Sequence, residues 1–179
     1  TLVKPKVDIL MLWDNTSSFN FITSESKASM SGLINSVSEN FDYHLLNAPL
    51  VPKYSTNLYE ATLVASDTTS VTGSAASILK TKDQAIASLA FSQGTGSVEK
   101  GIDQAYQLIT NNRSNGIFRD GAYTIIVLMS NEDDKGCEIQ NGVNKCPNTT
   151  KDSYLAPLKQ KFMCLRGSSK LYNCSGYPT

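Results

Sequence analysis

Val7-Asp8-Ile9-Leu10-Met11-Leu12-Trp13 runs directly into Asp14-Asn15-Thr16-Ser17-Ser18. The first stretch is a nearly continuous apolar run of strand length. Runs of this kind fit a central parallel strand buried on both faces. The second stretch is a loop by composition. A later run, Tyr123-Thr124-Ile125-Ile126-Val127-Leu128-Met129, carries the strongest β signal in the chain. It too stops at an oxygen-rich loop, Ser130-Asn131-Glu132-Asp133-Asp134.

Helical patterns separate these runs. Met30, Leu33, Ile34, Val37 and Phe41 are spaced three or four apart, with Thr23 or Ser24 as N-cap. Asp42–Leu46 predicts a short strand ending before Pro49, and Leu58–Ser66 predicts another. One short helix is expected around Asp83–Ala90, and the Ser/Thr-rich stretch Thr68–Ser77 reads as a solvated loop. Val98, Ile102, Ala105, Leu108 and Ile109 predict a further helix, ended by Asn111, Asn112 and Gly116. Tyr154, Leu155, Leu158, Phe162 and Leu165 suggest a last helix, with Pro157 tolerated only in its first turn. A short strand over Ser169–Ser175 closes the chain. Alternating strands and helices predict an α/β fold: a Rossmann-like, doubly wound, mostly parallel central sheet flanked by helices. Ligands of such sheets bind beyond the carboxyl ends of the strands, where strand order reverses. Both apolar runs end there in oxygen-rich loops.

The composition removes other classes. With 179 residues, the chain is expected to form a single domain, 1–179. Sixteen basic and sixteen acidic side chains balance, which argues against a nucleic-acid surface and a polybasic membrane anchor. No apolar run reaches the roughly 20 residues of a membrane span, so no direct membrane span is expected, and no signal peptide is read at the N-terminus. Ser, Thr and Asn dominate the polar residues, as on many exported proteins. The single His, His44, rules out a His-rich zinc site and reads as a surface or a satisfied structural residue. Trp13 reads as core.

The four cysteines form two local pairs without zinc spacing. Locality pairs Cys137–Cys146 and Cys164–Cys174 as disulfides, which implies an oxidising, extracytoplasmic compartment: periplasmic, cell-surface or secreted. Asn-x-Ser/Thr triplets occur at Asn15, Asn112, Asn148 and Asn173, but chance produces them in so Asn- and Ser-rich a chain.

Asp14-x-Thr16-x-Ser18 offers a carboxylate and two hydroxyls at alternate positions, which a tight loop can turn toward one centre. Thr95 lies on a Gly-flanked turn before a helix. Asn131 to Asp134 add oxygens at the end of the second run. Hard cations take such ligands, and Mg2+ keeps several waters. A divalent ion held by one carboxylate and hydroxyls stays under-neutralised and attracts a carboxylate from outside.

These segments resemble von Willebrand factor type A domains. Val-Asp-Ile-Leu-Met-Leu-Trp-Asp-Asn-Thr-Ser-Ser is similar to the family's opening strand with Asp-x-Ser-x-Ser. Gly94-Thr95-Gly96 is similar to its second metal segment, and Ile-Ile-Val-Leu-Met-Ser-Asn-Glu-Asp-Asp to its third. The resemblance covers residues 5–135; residues 136–179 diverge and carry the cysteines. It implies a metal-ion-dependent adhesion site with one Mg2+, Mn2+ or Ca2+, held by Asp14, Thr16, Ser18, Thr95 and Asn131. Asp133 and Ser97 are alternates. It further implies an adhesion domain of an exported or cell-surface protein, not an enzyme, binding a protein or surface ligand that presents a carboxylate. Asn-Glu-Asp-Asp followed by Cys resembles a bacterial exported subset.

Three features depart from the family. Thr16 stands for Ser, Asn131 stands for Asp, and only 45 residues follow Asp134, so a final strand and helix look missing. Asn131 supports an alternative, a metal-free structural or assembly module. A third reading, an aspartyl-phosphate hydrolase built on Asp14, lacks a second Asp at position 16 and a phosphate-binding Lys near the strand ends.

Overall fold

A computed structural model describes residues 3–16, 20–53, 58–94, 100–131, 134, 139–140, 143–144, 151–165 and 174–175. The chain divides into two compact units, Thr1–Asp133 and Asp134–Thr179.

The first unit is α/β. Its four strands are β1 (Lys6–Trp13), β2 (Asp42–Pro49), β3 (Thr62–Ala65) and β4 (Tyr123–Met129), in the order β3-β2-β1-β4. β1 pairs in parallel with both β2 and β4, whereas β3 runs antiparallel to β2. The sheet is therefore mixed but mostly parallel. Strand order reverses at β1, because β2 lies on one side of it and β4 on the other.

β1 is buried from Val7 to Trp13, as its unbroken apolar run predicts. Leu10, Leu12, Leu45, Leu46 and Leu63 are fully covered. Each such side chain contributes about 1.5–3 kcal/mol of burial. Helix α1 (Ser24–Asn40) starts at Thr23, whose hydroxyl accepts from the Ser26 N–H while the Ser26 hydroxyl accepts from the Thr23 N–H. Met30 and Ile34, one turn apart, press into a cluster with Val7, Ile9, Met11 and Trp13. Trp13 is core, and its indole N–H donates to Asn47 Oδ1 at 3.0 Å. Helix α4 (Gly101–Asn111) buries Ala105, Leu108 and Ile109 and packs on β1 and β4. Val98, expected in this helix, lies outside the described residues.

Several expectations change. β2 runs on through Pro49; because Pro has no N–H, its tolerance follows from pairing through carbonyls and its place at the strand end. The Ser/Thr-rich stretch holds a short helix, α2 (Gly73–Ser77), which buries Ala75, besides the expected α3 (Lys82–Ala87). Of the two readings of His44, the satisfied structural one holds. Its Nδ1 lies 3.0 Å from the Ile117 carbonyl and its Nε2 3.2 Å from that of Asp67, inside the fold. β4 presents Tyr123, Ile125 and Leu128 as exposed side chains, so a strong apolar run here is not a fully buried strand.

The second unit has a two-stranded antiparallel pair, β5 (Ile139–Gln140) and β6 (Val143–Asn144), and helix α5 (Lys151–Leu165). α5 begins a turn earlier than expected, so Pro157 lies inside it. A disulfide joins Cys164 and Cys174. Cys137, Cys146 and most of Ser169–Ser175 lie outside the described residues. No helix among the described residues is long and apolar enough to cross a membrane.

Candidate functional site

The carboxyl end of β1 is stitched to its neighbours by main chain. The Asp14 N–H donates to the Met129 carbonyl at 2.9 Å, and the Leu50 N–H donates to the Trp13 carbonyl at 2.8 Å. Asp14 is thereby held at the point where strand order reverses.

Its side chain is almost fully buried, at 1% exposure. Oδ1 accepts from the Thr16 N–H at 2.9 Å and from the Thr16 hydroxyl at 2.7 Å, an Asx turn. Oδ2 accepts from the Ser130 hydroxyl at 3.1 Å. Every one of these donors is neutral. Among the described residues no cation pairs with Asp14, whose buried charge would ordinarily demand one.

Asn15 locks three loops together. Its Nδ2 donates to the carbonyls of Val51 and Ser92, its Oδ1 accepts from the Val51 N–H, and its own carbonyl accepts from the Gly94 N–H. Gly94 must be glycine for this approach: an added Cβ would lie 2.8 Å from the Val51 side chain. Ser92 is held in turn by Glu60, whose Oε1 accepts from both the Ser92 N–H and its hydroxyl. Glu60 adopts φ of 63°, a left-handed conformation that is strained for a residue with a Cβ.

Of these residues, Asp14, Asn15 and Thr16 border a cleft of about 390 Å3. Ile22 and Lys27, before and within the first turn of α1, and Leu89 and Phe91, from the segment after α3, also line it. Its volume lies in the ordinary range of small-ligand sites, and its place matches where open α/β sheets bind ligands.

Asp14 and Thr16 thus come together, with Ser130 as a third oxygen that the sequence reading passed over. Asn131 is exposed, one residue beyond Ser130, and makes no hydrogen bond among the described residues. Ser18, Thr95, Ser97 and Asp133 lie outside the described residues. No group of three or more His, Cys, Asp or Glu among the described residues is placed to hold a metal. Reading Asp14-x-Thr16-x-Ser18 as alternate ligands treated Asn15 as a spacer, yet its amide is the loop clamp. A hydroxyl placed directly after an apolar strand was the available signal for Ser130. Nothing in the sequence pointed to Glu60.

The opposite end of the sheet is built differently. Asp8, also fully buried, accepts from the Arg119 N–H at 2.5 Å and from the Arg119 guanidinium, whose closest N–O separation is 2.8 Å. Arg119 also pairs with Asp42 at 2.7 Å and donates to the carbonyls of Val7 and Asp42. Burial pushes the Asp8 carboxyl above its ordinary range, opposed by the Arg119 hydrogen bonds and charge. At Asp42 burial also works upward, but the Arg119 and Ser66 hydrogen bonds and the guanidinium charge outweigh it and hold that carboxyl low.

No known protein family matches the chain, and neither a curated protein nor a solved structure does.

Proposed function

We propose that the chain is a von Willebrand factor type A-like, metal-ion-dependent ligand-binding domain of an exported or cell-surface protein. The observation that carries this reading is the Asp14 carboxylate, buried at the strand-order switch and met by hydroxyls instead of a cation. A hydroxyl that donates its proton to a carboxylate directs its oxygen lone pairs elsewhere. Thr16 and Ser130 are therefore suited to a hard cation whose charge Asp14 balances across them. Asp14, Thr16 and Ser130 would hold the ion, with Ser18, Thr95 and Asn131 as further oxygens. The ion, Mg2+ or else Mn2+ or Ca2+, would supply an open coordination position for a carboxylate of a protein or surface partner. The chain's own residues do the rest: Asn15 fixes the loops, and the cleft walls shape what enters.

A second reading, a metal-free binding or assembly module, is favoured by Asn131. It brings an amide where the resembled family has a carboxylate, and it points to solvent. Calorimetry with Mg2+, Mn2+ and Ca2+ on wild type and Asp14→Ala separates the two. Saturable binding lost in Asp14→Ala supports the metal site, and no binding to folded wild type favours the metal-free module. Phosphate-ester hydrolysis abolished by Asp14→Ala would instead support a phosphohydrolase.

A further inference from the structure

We infer that the Asp14 cleft takes a peptide carboxylate next to an aliphatic residue, and that the Lys27 ammonium is its direct counter-charge, with or without a metal. This rests on the cleft being the ligand-binding end, as proposed above. Lys27 sits in the first turn of α1, half-buried, and lines the cleft. Elsewhere along α1 lysines are spoken for: Lys4 Nζ donates to the Ser38 carbonyl and Lys82 Nζ to Asn35 Oδ1. The Lys27 ammonium has neither a hydrogen bond nor an ion pair among the described residues.

Neighbouring carboxylates do not serve it. Asp14 directs both oxygens to hydroxyl and amide donors. Glu25, in the same helical turn, is fully exposed, and its carboxyl is held low by its own N–H and by Thr23 and Ser24. With no anionic partner among the described residues, the ammonium at the cleft is open to an anion brought by a ligand. The N-terminal end of α1 adds its partial positive charge to the same place.

The apolar wall decides what kind of anion. Ile22 and Phe91 pack on the core cluster yet keep exposed surface toward the cleft, beside Leu89. A strongly hydrated phosphate gains nothing from that wall. A carboxylate with an aliphatic neighbour covers both features at once, and an acidic residue followed by Leu in an exposed partner segment has that form.

The test uses the full, oxidised chain and the blocked peptide acetyl-Gly-Glu-Leu-Gly-amide, with Gln-Leu and Glu-Gly versions as controls. Binding is read by calorimetry in EDTA and again in excess Mg2+. Lys27→Met should weaken the Glu-Leu peptide about tenfold in both conditions, and Lys27→Arg should restore it. Each control peptide should bind several-fold more weakly to wild type. Equal binding by wild type and folded Lys27→Met overturns the inference, as does no Glu-Leu binding in either condition. A Lys27 effect without any gain from Mg2+ supports the inference while removing the metal site. Mg2+-dependent binding indifferent to Lys27 does the reverse.

Discussion

Asp8 and Asp14 stand at opposite ends of the same strand, equally buried, and the protein treats them in opposite ways. Asp8 is closed off by a guanidinium that also reaches Asp42 and two main-chain carbonyls. Among the described residues Asp14 meets a backbone N–H and two hydroxyls, and it opens on a cleft. A buried carboxylate neutralised on the spot is part of the frame. One met by neutral dipoles is placed to balance an incoming cation. The contrast, more than either residue alone, points to the carboxyl end of β1 as the working end.

Removing the cation at the closed end should have the largest effect. Arg119→Met leaves Asp8 buried beside an apolar chain and should cost about 3–5 kcal/mol in urea unfolding. Asp14→Asn strands no cation and should cost only about 1 kcal/mol. Similar losses for the two would erase the distinction between the ends.

Asn15→Ala should come next. It removes three hydrogen bonds that join the loops at residues 15, 51 and 92, at a cost of about 2 kcal/mol. Hydrogen exchange should rise at Val51 and Gly94 and stay unchanged around Arg119. Loosening at both ends would show that Asn15 supports the whole fold instead of the cleft.

The smallest effect is pH-linked. Asp42 has a folded pKa below its ordinary value, so its stabilisation is complete above that ordinary value. It is lost as pH falls through the depressed one. The stability gap between wild type and Asp42→Asn should be about 1 kcal/mol at neutral pH and close below about pH 4. Asp8, whose carboxyl is raised, acts with the opposite sign. A gap that stays constant to low pH would show that Asp42 does not contribute as a carboxylate.

Much of the frame was legible. The unbroken apolar run of β1 identified a buried central strand because both its faces are covered. The spacing of Met30 and Ile34 marks the inner face of α1, and of the two candidate caps, Thr23 and Ser24, Thr23 is the N-cap. What failed to show depended on distant partners. Tyr123-Thr124-Ile125-Ile126-Val127-Leu128-Met129 is as apolar as β1, but periodicity does not report whether neighbours exist to cover it. His44 is satisfied by carbonyls of residues 67 and 117, which no local pattern reveals. The β5–β6 pair had a local signal that was not used: Asn141-Gly142 separates the two strands, a dipeptide that favours tight hairpins. At the cleft, local spacing linked Asp14 to Thr16. Ser130 enters only because β4 is placed beside β1. Glu60 and Lys27 enter through loop and helix placement that single residues do not encode.

The most direct test counts bound Mn2+ by the loss of its free-ion electron paramagnetic resonance signal in wild type, Asp14→Asn and Asp42→Asn. The two variants each remove one carboxylate, at opposite ends of the sheet. One Mn2+ bound by wild type and by Asp42→Asn, and none by Asp14→Asn, is the expected result. Equal Mn2+ binding by wild type and Asp14→Asn, or none by folded wild type, would contradict the assignment of a metal to this end.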